Sequence, residues 1–289
     1  MANLKEIRSR ITSVGSTMQI TSAMKMVSAA KLKRAQDAIT QMRPYSNKLT
    51  ELLENLSFNL DSPSTGKYTE KRGLKNILFV TVSSNRGLCG GFNANIIKKT
   101  KELIKNEYSS SDTHILSIGK KTSEHFAKNN FNVVKQSDEL FSDLTYNNVK
   151  DVAEYIMNEF IDKKFDKVVL VYNRFKNAAT QIVMTENFLP LEEKNTNNNI
   201  NMDYLFEPSQ EEIVKDLIPK SLRTQLFKAV LDSHASEHGA RMTAMHKATD
   251  NASELRDQLK LTYNKARQTA ITNEILEIVG GAEALNSWQ

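Results

Sequence analysis

The chain has 289 residues, 39% hydrophobic and 25% charged, with 10 glycines and 5 prolines, a balance that allows one or two packed domains and excludes a disordered, collagenous or disulfide-stapled protein. Its one cysteine, Cys89, can build neither an internal disulfide nor a cysteine zinc site, which fits a reducing compartment. MANLKEIRSRI at the start is charged where a signal peptide needs an apolar run, and no 18 consecutive apolar residues occur, so no membrane span is expected. Net charge is +5 and unevenly placed: residues 1–57 hold nine Lys and Arg against four acids, whereas residues 58–208 hold twenty against nineteen. An acidic partner is therefore expected to meet the first fifth of the chain.

Up to Ser62 the only helix breakers are Gly15 and Pro44, and Leu4, Ile7, Ile11, Val14 and Met18 step by three and four, the seam of a coiled coil. Ile20, Met24 and Val27 resume that rhythm in a shifted phase. The run Lys75 to Ser84 has the texture of a buried strand, as do Thr113 to Gly119, Phe131 to Val134 and Lys167 to Tyr172; residues 93–108, 120–129 and 147–162 read as helices between them. That alternation predicts a parallel α/β sheet, with Ala178 to Leu189 as a last strand, in antiparallel edge position, followed by a polar loop at 194–201. From Lys220 to Gln289 there is no proline, and Met242, Met245, Thr249, Ala252, Leu255 or Leu259, Tyr263 and Ala266 make a second, small-residue seam. Helices of about 50 and 65 residues would be roughly 75 and 100 Å long and need a partner for their stripes. Each other, packed antiparallel in a partly irregular coiled coil, is the economical choice; two separate bundles are the alternative.

Three stretches invite a chemical reading. The turn Ser83 to Asn93 follows the first strand, where a Rossmann-type domain cradles phosphate, but it carries neither dinucleotide nor P-loop glycine spacing and reads as a close-packing turn with Cys89 a packed thiol. His234-Ala-Ser-Glu-His238 matches the pattern of inverted zinc peptidases, yet it lies in a proline-free helix and lacks a third ligand, so solvated or packed helix histidines are expected. Lys25 to Arg34 is basic but has no interleaved aromatics, which favours an acidic protein partner over nucleic acid.

Lys5 to Ile11 (KEIRSRI), Ile20 to Lys31 (ITSAMKMVSAAK), Asn85 to Gly91 (NRGLCGG), Ala244 to Asn251 (AMHKATDN) and Leu261 to Gly281 (LTYNKARQTAITNEILEIVGG) together closely resemble the gamma subunits of rotary ATP synthases. The resemblance is collinear over essentially the whole chain, with the middle from about 105 to 200 diverged and the two histidines standing where the family commonly has apolar or amide residues. It implies an α/β fold: a long antiparallel coiled coil of terminal helices, residues 1–60 and 209–286, with an inserted Rossmann-like domain at 74–206. It further implies a non-catalytic shaft without catalytic residues, metal or cofactor, turning inside three alpha and three beta subunits and standing beside epsilon, delta and the c-ring. Such a shaft lies peripherally at the cytoplasmic face of the bacterial inner membrane, reaching it only through the rotor ring, and does not bind nucleic acid. By the same resemblance Lys25, Met26, Lys31, Lys33, Arg34, Arg267, Gln268 and Thr272 are expected to contact beta subunits, and Tyr204, Phe206 and Glu207 the c-ring or epsilon. A metal- or nucleotide-dependent enzyme built on the insert is the alternative.

Overall fold

A computed structural model describes residues 4–57, 66–191 and 210–286. In chain order its elements are α1 (Leu4–Ser57), α2 (Gly66–Thr69), β1 (Asn76–Val82), α3 (Phe92–Asn106), β2 (Asp112–Ile118), α4 (Lys120–Lys128), β3 (Asn132–Gln136), a 3-10 turn at Glu139–Phe141, α5 (Tyr146–Ile161), β4 (Lys167–Phe175), β5 (Gln181–Leu189) and α6 (Gln210–Asn286). α1 runs for 54 residues through Pro44 and α6 for 77 through Pro219. A proline inside a helix removes one backbone donor; at Pro44 the bereft carbonyl belongs to the exposed Thr40, where water can take its place. Among the described residues no helix is long and apolar enough to cross a membrane. The chain divides into two units, 1–27 with 243–289, and 28–242.

In the larger unit the sheet order is β3-β2-β1-β4-β5. The first four strands are parallel and β5 runs antiparallel to β4 at the edge. All residues of β1 from Ile77 to Val82 are buried, because both faces are covered and a continuous apolar run is what such a strand requires. Ile77 and Phe79 point to a layer with Phe92, Ile96 and Leu103 of α3 and Phe126 of α4. Leu78, Val80 and Val82 point the other way, onto Val149, Ile156 and Phe160 of α5 and Leu222, Leu226 and Val230 of α6. α1 contributes Leu53 to that second layer.

The carboxyl ends of β1 and β2 are tied by hydroxyls rather than by packing. Thr81, Ser83 and Ser117 all hydrogen-bond the one side-chain oxygen of Thr122 on α4. The chain can enter α4 at that closeness only through Gly119, which has φ +107 and would place an added Cβ 2.1 Å from the Ser83 carbonyl oxygen.

The smaller unit is a two-helix seam. On α6 the least exposed positions are Met245, Thr249, Ala252, Arg256, Leu259, Tyr263, Ala266, Ala270 and Asn273, a regular alternation of four and three. Thr249 donates to the Thr21 hydroxyl at 2.8 Å, and Arg256 lies 3.7 Å from the Met18 sulfur. Rising numbers on one helix meet falling numbers on the other, so the pair is antiparallel. Leu259, not the exposed Leu255, holds the seam. The expected phase shift on α1 does not occur: Ile20 and Val27 are 60% and 58% exposed, while Thr21 and Ser28 are buried. Small and polar residues keep the register, so the coiled coil is more regular than its hydrophobicity suggests.

Gly119→Ala combines a left-handed backbone with a backbone clash. It should lower unfolding free energy by about 3 kcal/mol or more, measured by urea denaturation of the full chain, whereas Gly15→Ala, with open space at its Cβ, should not destabilise.

Candidate partner interface

In an open α/β sheet the ligand crevice lies at the carboxyl ends of the strands where their order reverses, here between β1 and β4. α6 fills it. Ser233 donates to the Val82 carbonyl at 3.3 Å and Ser236 to that of Asn173 at 2.9 Å. Buried Asp232 accepts from the Phe175 backbone N–H at 3.2 Å and from Arg43 at 2.7 Å. Arg241, ion-paired to Glu237, donates to the carbonyls of Arg86 and Gly87 at 3.0 and 3.3 Å. At Gly239 an added Cβ would come within 3.3 Å of the Ala178 backbone, so this isolated glycine is a close-approach point. Sequence reasoning missed these contacts; their signal was that Asp232, Ser233, Ser236, Glu237 and Arg241 directly follow the apolar run Ala229 to Leu231.

The turn Ser83 to Asn93 spends its donors on itself. The Asn93 side chain accepts from the Ser84 N–H at 3.0 Å and donates to the Ser84 hydroxyl at 2.7 Å and to the Cys89 sulfur at 3.2 Å. Leu88 and Gly90 both take left-handed backbones, at φ 62 and 59. Cys89 is buried, and that burial pushes its thiol above the ordinary range, the opposite of what a nucleophile needs.

His234 and His238 stand with their Nε2 atoms 3.1 Å apart, His234 stacked on Phe141 at 5.9 Å between ring centres. Burial first, then Lys31 and Arg241, lowers His234 to about 4; burial, His234, Arg241 and Lys31 lower His238 to about 3. A metal cation would meet the same field from Lys31 and Arg241. Among the described residues no group of three or more His, Cys, Asp or Glu is arranged to hold a metal.

The residues expected at beta subunits are displayed rather than buried. Met26 is 63% exposed, Lys31, Lys33 and Arg34 are exposed and Lys25 is half-buried. Arg267, Gln268 and Thr272 are exposed on α6, and the Thr272 hydroxyl donates to the Gln268 carbonyl at 2.9 Å. Arg267 makes no ion pair among the described residues. Beyond Asn273 every described side chain up to Glu283 is exposed, among them Ile275 at 55%, Leu276 at 62% and Ile278 at 71%. Tyr204, Phe206 and Glu207 lie outside the described residues.

A paired-helix element that displays apolar and basic side chains, together with a sheet whose crevice is plugged by its own chain, has the make-up of a stalk-type assembly subunit. The sequence family described as ATP synthase matches residues 3–285. The ATP synthase gamma chain of Christiangramia forsetii is 63% identical over 286 residues, covering 99% of this chain and 100% of that one. Those of Flavobacterium psychrophilum and Chlorobium phaeobacteroides are 61% and 45% identical, each covering 99% of both chains. Among solved structures, a chain of the Euglena gracilis mitochondrial ATP synthase OSCP/F1/c-ring matches with TM-score 0.70 at 23% identity, over 98% of this chain and 95% of that one. A chain of the Tetrahymena thermophila mitochondrial ATP synthase central stalk/c-ring matches with TM-score 0.60 at 25% identity, over 79% of this chain and 99% of that one. The chain belongs to the gamma-chain family of the ATP synthases.

The buried imidazoles contribute a pH-dependent part of stability. Their folded values lie below the unfolded value of 6.5, so between about pH 6.5 and 4 the unfolded chain binds more protons and stability falls as pH falls. Asp232 and Glu237, raised chiefly by burial, act with the opposite sign and cancel in a comparison with His234→Leu/His238→Gln. From pH 7 to pH 5 the variant should lose about 2–4 kcal/mol less than the parent in urea denaturation.

Proposed function

We propose that the chain is the rotor shaft of a proton-translocating ATP synthase and performs no bond chemistry itself. The observation that carries this reading is the whole-length identity of 63% to a gamma chain, and the exposed apolar and basic side chains of α1 and α6 support it. The terminal helices, within 1–60 and 209–286, are the shaft, and the insert at 74–206 is the foot. Three alpha and three beta subunits surround the shaft; epsilon, delta and the c-ring stand at the foot, at the cytoplasmic face of the inner membrane. Coupling follows from symmetry. One asymmetric rod cannot make equal contacts with three equivalent subunits, so each orientation biases three nucleotide sites differently, and occupancy of those sites pushes back on the rod.

Lys25, Lys31, Lys33 and Arg34, with Met26 beside them, face acidic segments of beta. Each exposed pair contributes on the order of 1 kcal/mol or less and is salt-sensitive. Arg267, Gln268 and Thr272 form a second catch on the shaft, where removing one partner of an enclosed Arg–carboxylate pair costs about a few kcal/mol.

The assignment is tested by purification from membranes. A complex containing alpha and beta is expected; a free monomer counts against it. In that complex, cysteines at Tyr204 or Glu207 should cross-link to c or epsilon, and products with alpha or beta alone reject that placement. Lys25→Glu/Lys31→Glu/Arg34→Glu should uncouple proton flow from ATP turnover, read by proton pumping in vesicles. Arg267→Ala/Gln268→Ala/Thr272→Ala should reduce assembly or turnover, and normal values for both would remove the catch.

A further inference from the structure

We propose that the groove between α3 and α4 binds a small organic ligand carrying two or more phosphate groups. Counted along the chain, residues 58–208 are almost neutral. Folding concentrates the charge: α3 brings Lys98, Lys99, Lys101 and Lys105 and α4 brings Lys120, Lys121 and Lys128, against only Glu102 and Glu124 on the two helices. The two helices pack side by side. Lys120 and Lys121 share Glu124 as their counterion, and Lys98 reaches Glu102 only at 3.9 Å. Lys101 and Lys105 make no ion pair among the described residues.

Those two lysines, with Lys98, Asn106 and the single acid Glu102, rim a groove of about 660 Å³, a size typical of small-molecule sites and far larger than one phosphate ion. Ala94 and Ile97 give it an apolar wall, and His125 lines it from α4. Among the described residues the buried His125 Nε2 atom has no hydrogen-bond partner, an unmet polar atom at the groove's edge that costs free energy as it stands. Burial, then Lys101, lowers the pKa of that imidazole. Side chains at i and i+4 stand about 6 Å apart on a helix, a span that two linked phosphates can bridge. The apolar wall suits a planar or apolar body on the same molecule. Neither a lone phosphate nor bare pyrophosphate uses both features.

The site is separate from the plugged crevice at the Ser83 to Asn93 turn, and it does not depend on the rotor assignment. The test is isothermal titration of the full chain, without alpha or beta subunits and without divalent cations, using ADP, AMP, pyrophosphate and inorganic phosphate. ADP is expected to saturate one site with Kd below about 1 mM, at least tenfold tighter than the other three. Lys101→Glu/Lys105→Glu should weaken ADP at least tenfold, with the far-ultraviolet spectrum unchanged. Ala94→Trp, which fills the wall and leaves the charge alone, should do the same. No saturable ADP binding overturns the proposal, as does equal affinity for ADP and pyrophosphate, or ADP binding indifferent to both variants. Lysine-dependent binding to phosphatidylglycerol vesicles in the absence of ADP binding would assign the face to a membrane and overturn it too.

Discussion

One buried carboxylate joins the three parts of the larger unit. Asp232 on α6, with no exposed side-chain surface, holds Arg43 of α1 and the backbone N–H of Phe175 at the end of β4, and Arg43 returns to the Phe175 carbonyl at 2.9 Å. A charge taken out of water is tolerated only when it is paired and hydrogen-bonded, so this node fixes how the first helix, the sheet and the last helix meet. Its second oxygen has no hydrogen-bond partner among the described residues, and burial raises the carboxyl above its ordinary value despite Arg43. Geometry at this point is therefore maintained against a desolvation cost.

The same stretch of α6 explains why an α/β insert can exist without a ligand in its crevice. Strand ends leave carbonyls that need donors. Ser233, Ser236 and Arg241 supply them at Val82, Asn173, Arg86 and Gly87. Donors that water or a ligand hydroxyl could supply are here supplied by the protein's own helix, and the sheet becomes a mount for that helix.

Much of this was legible in the residues. β1, β2 and β4 are Val-, Ile- and Leu-rich because both sheet faces are covered, and such runs stand out whatever surrounds them. The antiparallel edge position of β5 followed from its place after the parallel strands. What could not be read was the direction of apolar side chains on helices that serve more than one surface. Ile20 and Val27 look like seam residues, yet they are exposed and Thr21 takes the seam position against Thr249, because hydrophobicity marks every surface that shuns water and does not say which chain covers it. Nor could a linear charge count see that seven lysines of α3 and α4 stand on two packed helices with only Glu102 and Glu124 among them.

The end of α6 has a directional character. At 100° per residue, Ile271, Ile275, Leu276, Ile278 and Val279 fall within an arc of roughly 160°, whereas Glu274 and Glu277 occupy the opposite side. A tip greasy all round would slide within a sleeve with the same friction at every angle. This tip is two-faced. A wall that enclosed this tip would meet apolar side chains along one arc and carboxylates along the other, so each orientation of the helix would show it a different face.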